Sequence, residues 1–249
     1  MKKIISENQV DFGKINVPLS KKQALVDEVF NSVSSNYDLM NDLMSFGLHR
    51  YWKESFVDWM APRENQVLLD LAGGTGDIAM EFLKRGGKKV FLLDINLDMI
   101  IESKIKFNYE FSKKISLINA NAEEIPVPSN SLDFVSIAFG LRNITNRINT
   151  LNEAKRVLKN GGRFMCLEFS KVNSPFLKFF YDIWSKEFIP FIGEKVSSDR
   201  ASYEYLVESI KRFPNQENLK SMFCSCGFRS VKVRNFSGGI VAIHSGWKY

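Results

Sequence analysis

The chain has 249 residues, of which 45% are hydrophobic, and a formal net charge of +6. This length suits one large α/β domain with additions, and no uncharged apolar run is long enough to span a bilayer. Basic residues are scattered along the chain, which argues against a dedicated nucleic-acid binder and leaves open a mild attraction to anionic lipid headgroups or an ordinary solvated surface.

Three cysteines and no secretory signal lead us to expect a reduced, cytoplasmic setting. Cys224 and Cys226 have a C-x-C spacing without a second cysteine pair or a nearby histidine, so the sequence predicts no metal site.

In chain order, the pattern predicts a loose polar arm at 1–20 and a helical cap that continues to Pro62. From residue 63 onward, short apolar runs alternate with helical stretches, which indicates parallel strands joined by crossover helices. The predicted strands are 67–71, 90–94, 115–118, 134–139 and 163–168, with helices at 77–85, 97–110 and 147–159. A helical insertion at 175–213 and a closing antiparallel pair at 230–234 and 239–244 complete the pattern. We therefore predict a cap at 1–62 and, at 63–249, a doubly wound, mostly parallel, seven-stranded α/β sheet.

The clearest motif is the run DLAGGTGD at residues 70–77, between the first predicted strand and helix. Glycines there let the backbone approach a ligand, although a tight turn without a ligand would use the same residues. Asp94 ends the second strand, where an acid accepts hydrogen bonds from ribose hydroxyls or caps the next helix. Together the two motifs predict a nucleoside cofactor and leave NAD and S-adenosylmethionine both open.

Polar residues after the third strand help to decide between NAD and S-adenosylmethionine. Asn121, beside the small Ala122, can hydrogen-bond an adenine edge, as in methyltransferases. The fourth strand runs to Phe139 and Gly140, and a Gly-Gly turn opens the fifth. This order favours a methyltransferase over a dehydrogenase, and the absence of a G-x-x-x-x-G-K-[ST] motif argues against a phosphate-cradling NTPase.

Longer segments resemble the C-methyltransferases of ubiquinone and menaquinone biosynthesis. The most specific are YDLMND at 37–42 and FGLRN at 139–143; the others are SFGLHR at 45–50, RVLK at 156–159, LEFS at 167–170, YEYLVESI at 203–210, FPNQ at 213–216 and GGIVAIH at 238–244. The resemblance covers about residues 21–248. It implies a class I S-adenosylmethionine-dependent methyltransferase that methylates a ring carbon of a polyprenylated quinol, of the benzene type, the naphthalene type or both.

The resemblance also implies a set of cofactor contacts. Ala138 stands where many family members have serine, so a side-chain hydrogen bond is absent there. The remaining predicted cofactor residues are Gly73, Gly74, Thr75, Gly76, Asp94, Asn121 and Ala122.

Ring methylation needs a carbon nucleophile, which a quinol becomes when a phenolic hydroxyl, with a pKa of about 10, loses its proton. We expect Arg142 to stabilise the phenolate by charge or to orient the group that takes the proton. Asp77 is a candidate for that group, with a favourable interaction at the helix N-terminus as its alternative role. Tyr37 and Asn143 would orient the ring, although Tyr37 could equally be a core residue. His49 is a weaker candidate base, since a lone histidine beside aromatic residues is more often structural.

The pattern of residues 175–192 predicts an amphipathic helix. Its apolar face would cover the pocket, contact the polyprenyl tail or rest on a bilayer, and the alternative is that this face simply packs in the core. We expect a cytoplasmic protein, peripheral on the inner face of the membrane, without a nucleic-acid partner. Contacts with other quinone-biosynthesis enzymes and a homodimer are compatible with the sequence. Three other protein classes are alternatives to this prediction: a nucleic-acid methyltransferase, a non-catalytic S-adenosylmethionine-binding scaffold and a nicotinamide oxidoreductase.

Overall fold

The computed structural model describes residues 9–13, 15–33, 41–42, 45, 47–172, 179, 181, 183–197 and 200–249. The predicted ring-orienting residue Tyr37 lies outside these ranges, as do residues 175–178, 180, 182, 198 and 199 of the predicted insertion. No helix in the described ranges is both long and apolar enough to cross a membrane.

The N-terminal segment differs from the predicted loose arm. Strands β1 (Gln9–Phe12) and β2 (Ile15–Pro18) form an antiparallel hairpin, and helix α1 (Leu19–Val33) follows directly. Apolar contacts stabilise the hairpin: Val17 is buried, and the ring of Phe12 stacks on Tyr205 at a centroid distance of 4.4 Å. The composition of this short polar segment does not predict these contacts. Helix α2 (Leu48–Met60) completes the cap and ends two residues before Pro62, close to the predicted end.

The main domain alternates strands and helices as predicted. Its first half comprises β3 (Val67–Leu71), α3 (Asp77–Lys84), β4 (Lys89–Asp94), α4 (Leu97–Lys106), the single turn α5 (Tyr109–Ser112), β5 (Ile115–Asn119), β6 (Leu132–Ala138), α6 (Arg147–Val157) and β7 (Leu158–Phe169). Its second half comprises a π-helical stretch (Trp184–Phe188), α7 (Ile189–Ser197), α8 (Arg200–Arg212), α9 (Gln216–Ser225), β8 (Arg229–Phe236), a 3₁₀ turn (Ser237–Gly239) and β9 (Val241–Trp247). The predicted insertion at 175–213 is thus helical where it is described.

Seven strands form one sheet in the order β5-β4-β3-β6-β7-β9-β8. Strand β9 runs antiparallel to both β7 and β8, and the other neighbours are parallel. The predicted doubly wound, mostly parallel, seven-stranded sheet is therefore confirmed. Strand order reverses at β3, so a crevice opens at the carboxyl ends of β3, β4 and β6, where sheets of this type bind ligands.

Aromatic side chains fill both faces of the sheet. One core takes Trp52 and Phe56 from α2 with Phe82 from α3, and all three are almost fully buried. The other core packs Phe164 of β7 against Phe223 and Phe228. Because α2 shares the first core with the sheet, the cap is fixed directly beside the crevice.

Candidate functional site

The loop between β3 and α3 turns through left-handed backbone, with φ of +48° at Ala72, +52° at Gly74 and +85° at Gly76. A Cβ at Gly73 would lie 2.7 Å from Cγ of Leu92, and one at Gly76 would collide with the ring of Phe107. Glycine is therefore required at both positions, and the loop closes tightly beneath the N-terminus of α3.

Asp94, at the end of β4, is tied to this loop. Its Oδ2 accepts a hydrogen bond from the Gly74 amide at 2.9 Å, and its Oδ1 accepts one from the Asn96 amide at 2.9 Å. Burial raises the pKa of Asp94, and these two donors oppose the rise. The side chain of Asn96, not that of Asp94, caps α4 by accepting from the Met99 amide at 3.1 Å. Each carboxylate oxygen of Asp94 keeps a further acceptor position for a ligand.

A pocket with about 720 Å³ of empty space, including its open mouth, lies beside Asp94. Helix α1 covers it with Gln23, Val26 and Asp27. The predicted site residues that meet in its wall are Gly74, Asp94, Asn121, Ala122 and Asn143. The sequence did not indicate the contribution of α1, because a generic amphipathic helix gives no sign of which element it will cover.

A second cavity, with about 350 Å³ of empty space, shares Ala72, Gly74 and Phe139 with the first. Four further predicted residues, Gly73, Thr75, Asp77 and Ala138, line it. The two cavities are therefore neighbours along the glycine loop.

Asp70 lines this second cavity and was missed as a site residue. Its Oδ1 accepts from the Ser136 hydroxyl at 2.7 Å, whereas its Oδ2 is buried and has no hydrogen-bond partner among the described residues. Burial raises the pKa of Asp70 to about 7. The available signal was an acid inside an otherwise apolar buried strand, since a buried carboxyl is costly unless it serves a purpose.

Asp77, the first residue of α3, is held by two lysines. Lys53 Nζ lies 2.7 Å from its Oδ2 and Lys106 Nζ lies 2.7 Å from its Oδ1. Although burial favours the neutral acid, these ammonium groups hold the pKa of Asp77 well below its usual range. A carboxylate stabilised so strongly in its charged form is a weak proton acceptor.

Arg142 is buried and forms an ion pair with Glu168, whereas Asp77, the candidate group that Arg142 was expected to orient, is paired with the two lysines. Its Nη1 lies 2.9 Å from Glu168 Oε1 and also donates to the carbonyl of Phe139, and its amide donates to Glu168 Oε2 at 3.2 Å. Phe139 has a φ of +57°, which is strained for a bulky residue. Arg142 is not in the wall of either cavity, whereas Phe139 and Asn143 are.

Asn143 and His49 differ in their relation to the pocket. The Oδ1 of Asn143 accepts from the Tyr205 hydroxyl at 3.2 Å, which leaves its amide NH₂ group as a donor at the pocket wall. His49 lies outside both cavities, and its Nε2 is 2.8 Å from Asp42 Oδ1. Burial, with a contribution from Lys53, lowers the pKa of His49. No cluster of His, Cys, Asp and Glu able to hold a metal ion occurs in the described ranges.

The reversing sheet, the glycine loop and the acid after β4 define the class I S-adenosylmethionine-dependent methyltransferase fold. Solved methyltransferases share it: one from Thermotoga maritima superimposes with a TM-score of 0.62 at 19% identity, over 89% of this chain and 99% of that one. One from Aquifex aeolicus superimposes with a TM-score of 0.59 at 18% identity, over 94% and 100%.

The chain belongs to the ubiE/COQ5 methyltransferase family, whose model matches residues 18–248. It is 49% identical over 244 residues to the ubiquinone/menaquinone biosynthesis C-methyltransferase UbiE of Acidiphilium cryptum, covering 98% of each chain. It is 48% identical over 248 residues to the UbiE of Brucella abortus, covering 95% of this chain and 90% of the relative. The predicted family resemblance is confirmed.

Proposed function

We propose that this protein transfers the methyl group of S-adenosylmethionine to a ring carbon of a polyprenylated quinol, in the biosynthesis of ubiquinone, menaquinone or both. Family membership and the names of the UbiE relatives support the reaction. The observation that carries it is the pocket at the sheet's reversal point, where Asp94 and the Gly74 amide meet.

The residues present fit this methyl donor. Asp94 has acceptor positions that would take two ribose hydroxyls, and Asn121 beside Ala122, in the pocket wall, would hydrogen-bond an adenine edge. The buried, unpartnered Oδ2 of Asp70 suits the α-ammonium group. When bound, S-adenosylmethionine supplies a methyl group made electrophilic by a sulfonium.

The charge of the larger pocket fits a cationic ligand. Its described wall contains three acids, Asp27, Asp94 and Glu123, and no lysine or arginine. In a partly buried site, carboxylates attract a sulfonium more strongly than a neutral thioether. The wall would therefore favour the methyl donor over the product that remains after transfer.

For Arg142 we propose a positioning role rather than direct contact with the ring. Its guanidinium fixes the carbonyl of Phe139, and Glu168 fixes its own amide, so the ion pair shapes the turn that presents Phe139 and Asn143 to the pocket. Asn143 would then orient a ring oxygen through its amide group. Long-range stabilisation of the phenolate by Arg142 is weakened because Glu168 largely neutralises its charge.

For Asp77 we propose that its charge holds Lys53 and Lys106 in place. Its lowered pKa disfavours the base role, because a useful general base has a pKa near the working pH.

The polyprenyl tail requires an apolar surface. Phe179, Ile183, Phe188 and Phe191 are 62%, 41%, 49% and 53% exposed, and Trp184 stacks on Phe188 at 5.4 Å. We propose that this surface contacts the tail and the inner face of the membrane, since exposed apolar patches of this kind mark lipid or ligand contacts. Homodimer formation and contacts with other enzymes of the pathway stay predictions.

Calorimetric titration of the purified protein with S-adenosylmethionine and, separately, with NAD tests the cofactor. We expect binding of the first and none of the second. Incubation with the methyl donor and short-chain benzoquinol or naphthoquinol acceptors then assigns the ring type. Binding of NAD alone, or no methylated product from either acceptor, would refute the proposal.

A further inference from the structure

The second cavity contains complementary groups for both charges of an amino acid. The buried Oδ2 of Asp70 is an acceptor with no donor among the described residues. Lys53 is the one cation among the described residues of this wall, which also includes Thr75 and Asp77. Asp70 and Lys53 both line this cavity, and the charge of Lys53 opposes the rise that burial causes in the pKa of Asp70.

Lys53 has donors to spare. A protonated lysine carries three N–H donors, and Asp77 Oδ2 takes one of them. Asp77 receives a second ammonium from Lys106, so it does not depend on Lys53 alone for charge balance. Lys53 as a whole is only 8% exposed and lines the cavity, so its ammonium group is available to a further anionic group there.

Helix α2 holds Lys53 rigidly. The preceding residue, Trp52, is 1% exposed, and its Nε1 donates to the Ser237 hydroxyl at 3.1 Å. Phe56, one turn further along, is fully buried. The helix that carries Lys53 is thus anchored in the core, and the ion pair with Asp77 already restricts the lysine side chain, so little rotamer entropy is left to lose on binding.

We propose that Lys53, from the N-terminal cap, binds the α-carboxylate of S-adenosylmethionine. This inference rests on the proposed function for the identity of the cofactor. Two helices of the cap would then contact the cofactor: α2 would bind its methionine end, and α1 would cover its nucleoside end.

Two probes that differ only at the amino-acid end test it by calorimetry. S-Adenosylhomocysteine has the α-carboxylate, and 5′-methylthioadenosine keeps the nucleoside and thioether without it. For Lys53→Met we expect affinity for the first to fall by about 10- to 100-fold, as for loss of a charge-assisted hydrogen bond. Affinity for the second should stay within about twofold of wild type.

Lys84→Met is the control, because it removes a lysine of α3 that pairs with Glu81 and lines neither of the two cavities. It should leave both affinities nearly unchanged. Lys53→Arg should restore part of the affinity for S-adenosylhomocysteine. If Lys53→Met melts at a much lower temperature than wild type, the affinities of Lys53→Arg for the two probes are compared with those of wild type instead.

Equal losses for the two probes in the Lys53 variants, or no loss for either, would overturn the inference. Failure of the wild-type protein to bind either probe would instead count against the proposed function.

Discussion

The carboxylate of Asp94 accepts a hydrogen bond from the amide of Gly74 at 2.9 Å, which joins the end of β4 to the glycine loop across the crevice. One side chain therefore both shapes the loop and faces the pocket. Its substitution should affect the loop and the ligand together.

For Asp94→Ala we predict a loss of affinity for S-adenosylmethionine of about 10- to 150-fold, because hydrogen bonds to a charged group contribute about 1.5–3 kcal/mol. Asp94→Asn keeps an acceptor for the loop amide and should lose less. Calorimetry gives the affinities, and thermal melting checks that the fold is kept. Wild-type affinity in the alanine variant would remove Asp94 from the cofactor site.

Breaking the buried pair of Arg142 and Glu168 should destabilise the protein. We predict that Arg142→Ala lowers the free energy of unfolding by about 3–5 kcal/mol, since it leaves a buried carboxylate uncompensated. Denaturant titration measures this loss. Replacing both residues together, with Arg142→Met and Glu168→Leu, should restore much of the stability.

The same variants separate positioning from direct catalysis. If Arg142 positions the turn, Arg142→Lys should bind S-adenosylmethionine normally and show a raised KM for the quinol as well as a lower kcat. Partial rescue of Arg142→Ala turnover by raising the pH would instead indicate that the guanidinium stabilises the phenolate, because alkali ionises the quinol without help.

The carboxyl of Asp70 should make cofactor binding depend on pH. An ammonium binds the ionised carboxylate, so with a pKa raised to about 7 by burial, affinity should rise as the pH increases from 6 to 8. The charged neighbours of Asp70 are Asp94, Lys53 and Asp77, and the Ser136 hydroxyl donates a hydrogen bond to it. Asp70→Asn should flatten this dependence, which calorimetry at three pH values would reveal.

The same raised pKa predicts the direction of a stability change. In the unfolded chain the pKa of Asp70 is near 4, whereas in the folded protein it is about 7. As the pH rises from about 4 to about 7, the unfolded state ionises first, so the stability of the folded protein falls, and the loss levels off above about pH 7. Asp70→Asn should therefore gain stability relative to wild type between pH 5 and pH 8. A constant difference across that range would show that Asp70 titrates normally.

Truncating the aromatic pair of the helical insertion should affect long-tailed substrates selectively. For Trp184→Ala with Phe188→Ala we predict a raised KM for a long-tailed quinol and weaker sedimentation with anionic vesicles. A short-chain quinol should be used almost normally. Ile105→Ala is the control, since Ile105 is 74% exposed on α4, outside the insertion. Equal losses for both quinols at unchanged melting temperature would rule out tail binding.

Periodicity and glycine placement were sufficient to predict the sheet, because its strands are apolar runs bounded by turns. Asp94 and Asn121 could be placed from the ends of such strands. The sequence could not identify Asp70, Lys53 and Asp27 as site residues, because their roles depend on which elements pack together. Asp70 is recognisable only from the cavity beside it. Lys53 and Asp27 lie on helices whose packing position the sequence pattern does not encode. For the same reason, the partner of Arg142 was found only in the folded chain, 26 residues away in sequence.

The most direct test of the proposed reaction follows a methyl group. The protein is incubated with S-adenosylmethionine that carries ¹³C in the methyl group and with the quinol acceptor that it uses best, and the product is studied by NMR. We expect the transferred carbon to be bonded to a ring carbon, and we expect Asp94→Ala to form the product much more slowly at limiting donor concentration. A label found on a ring oxygen, or no transfer from a donor that binds, would contradict it.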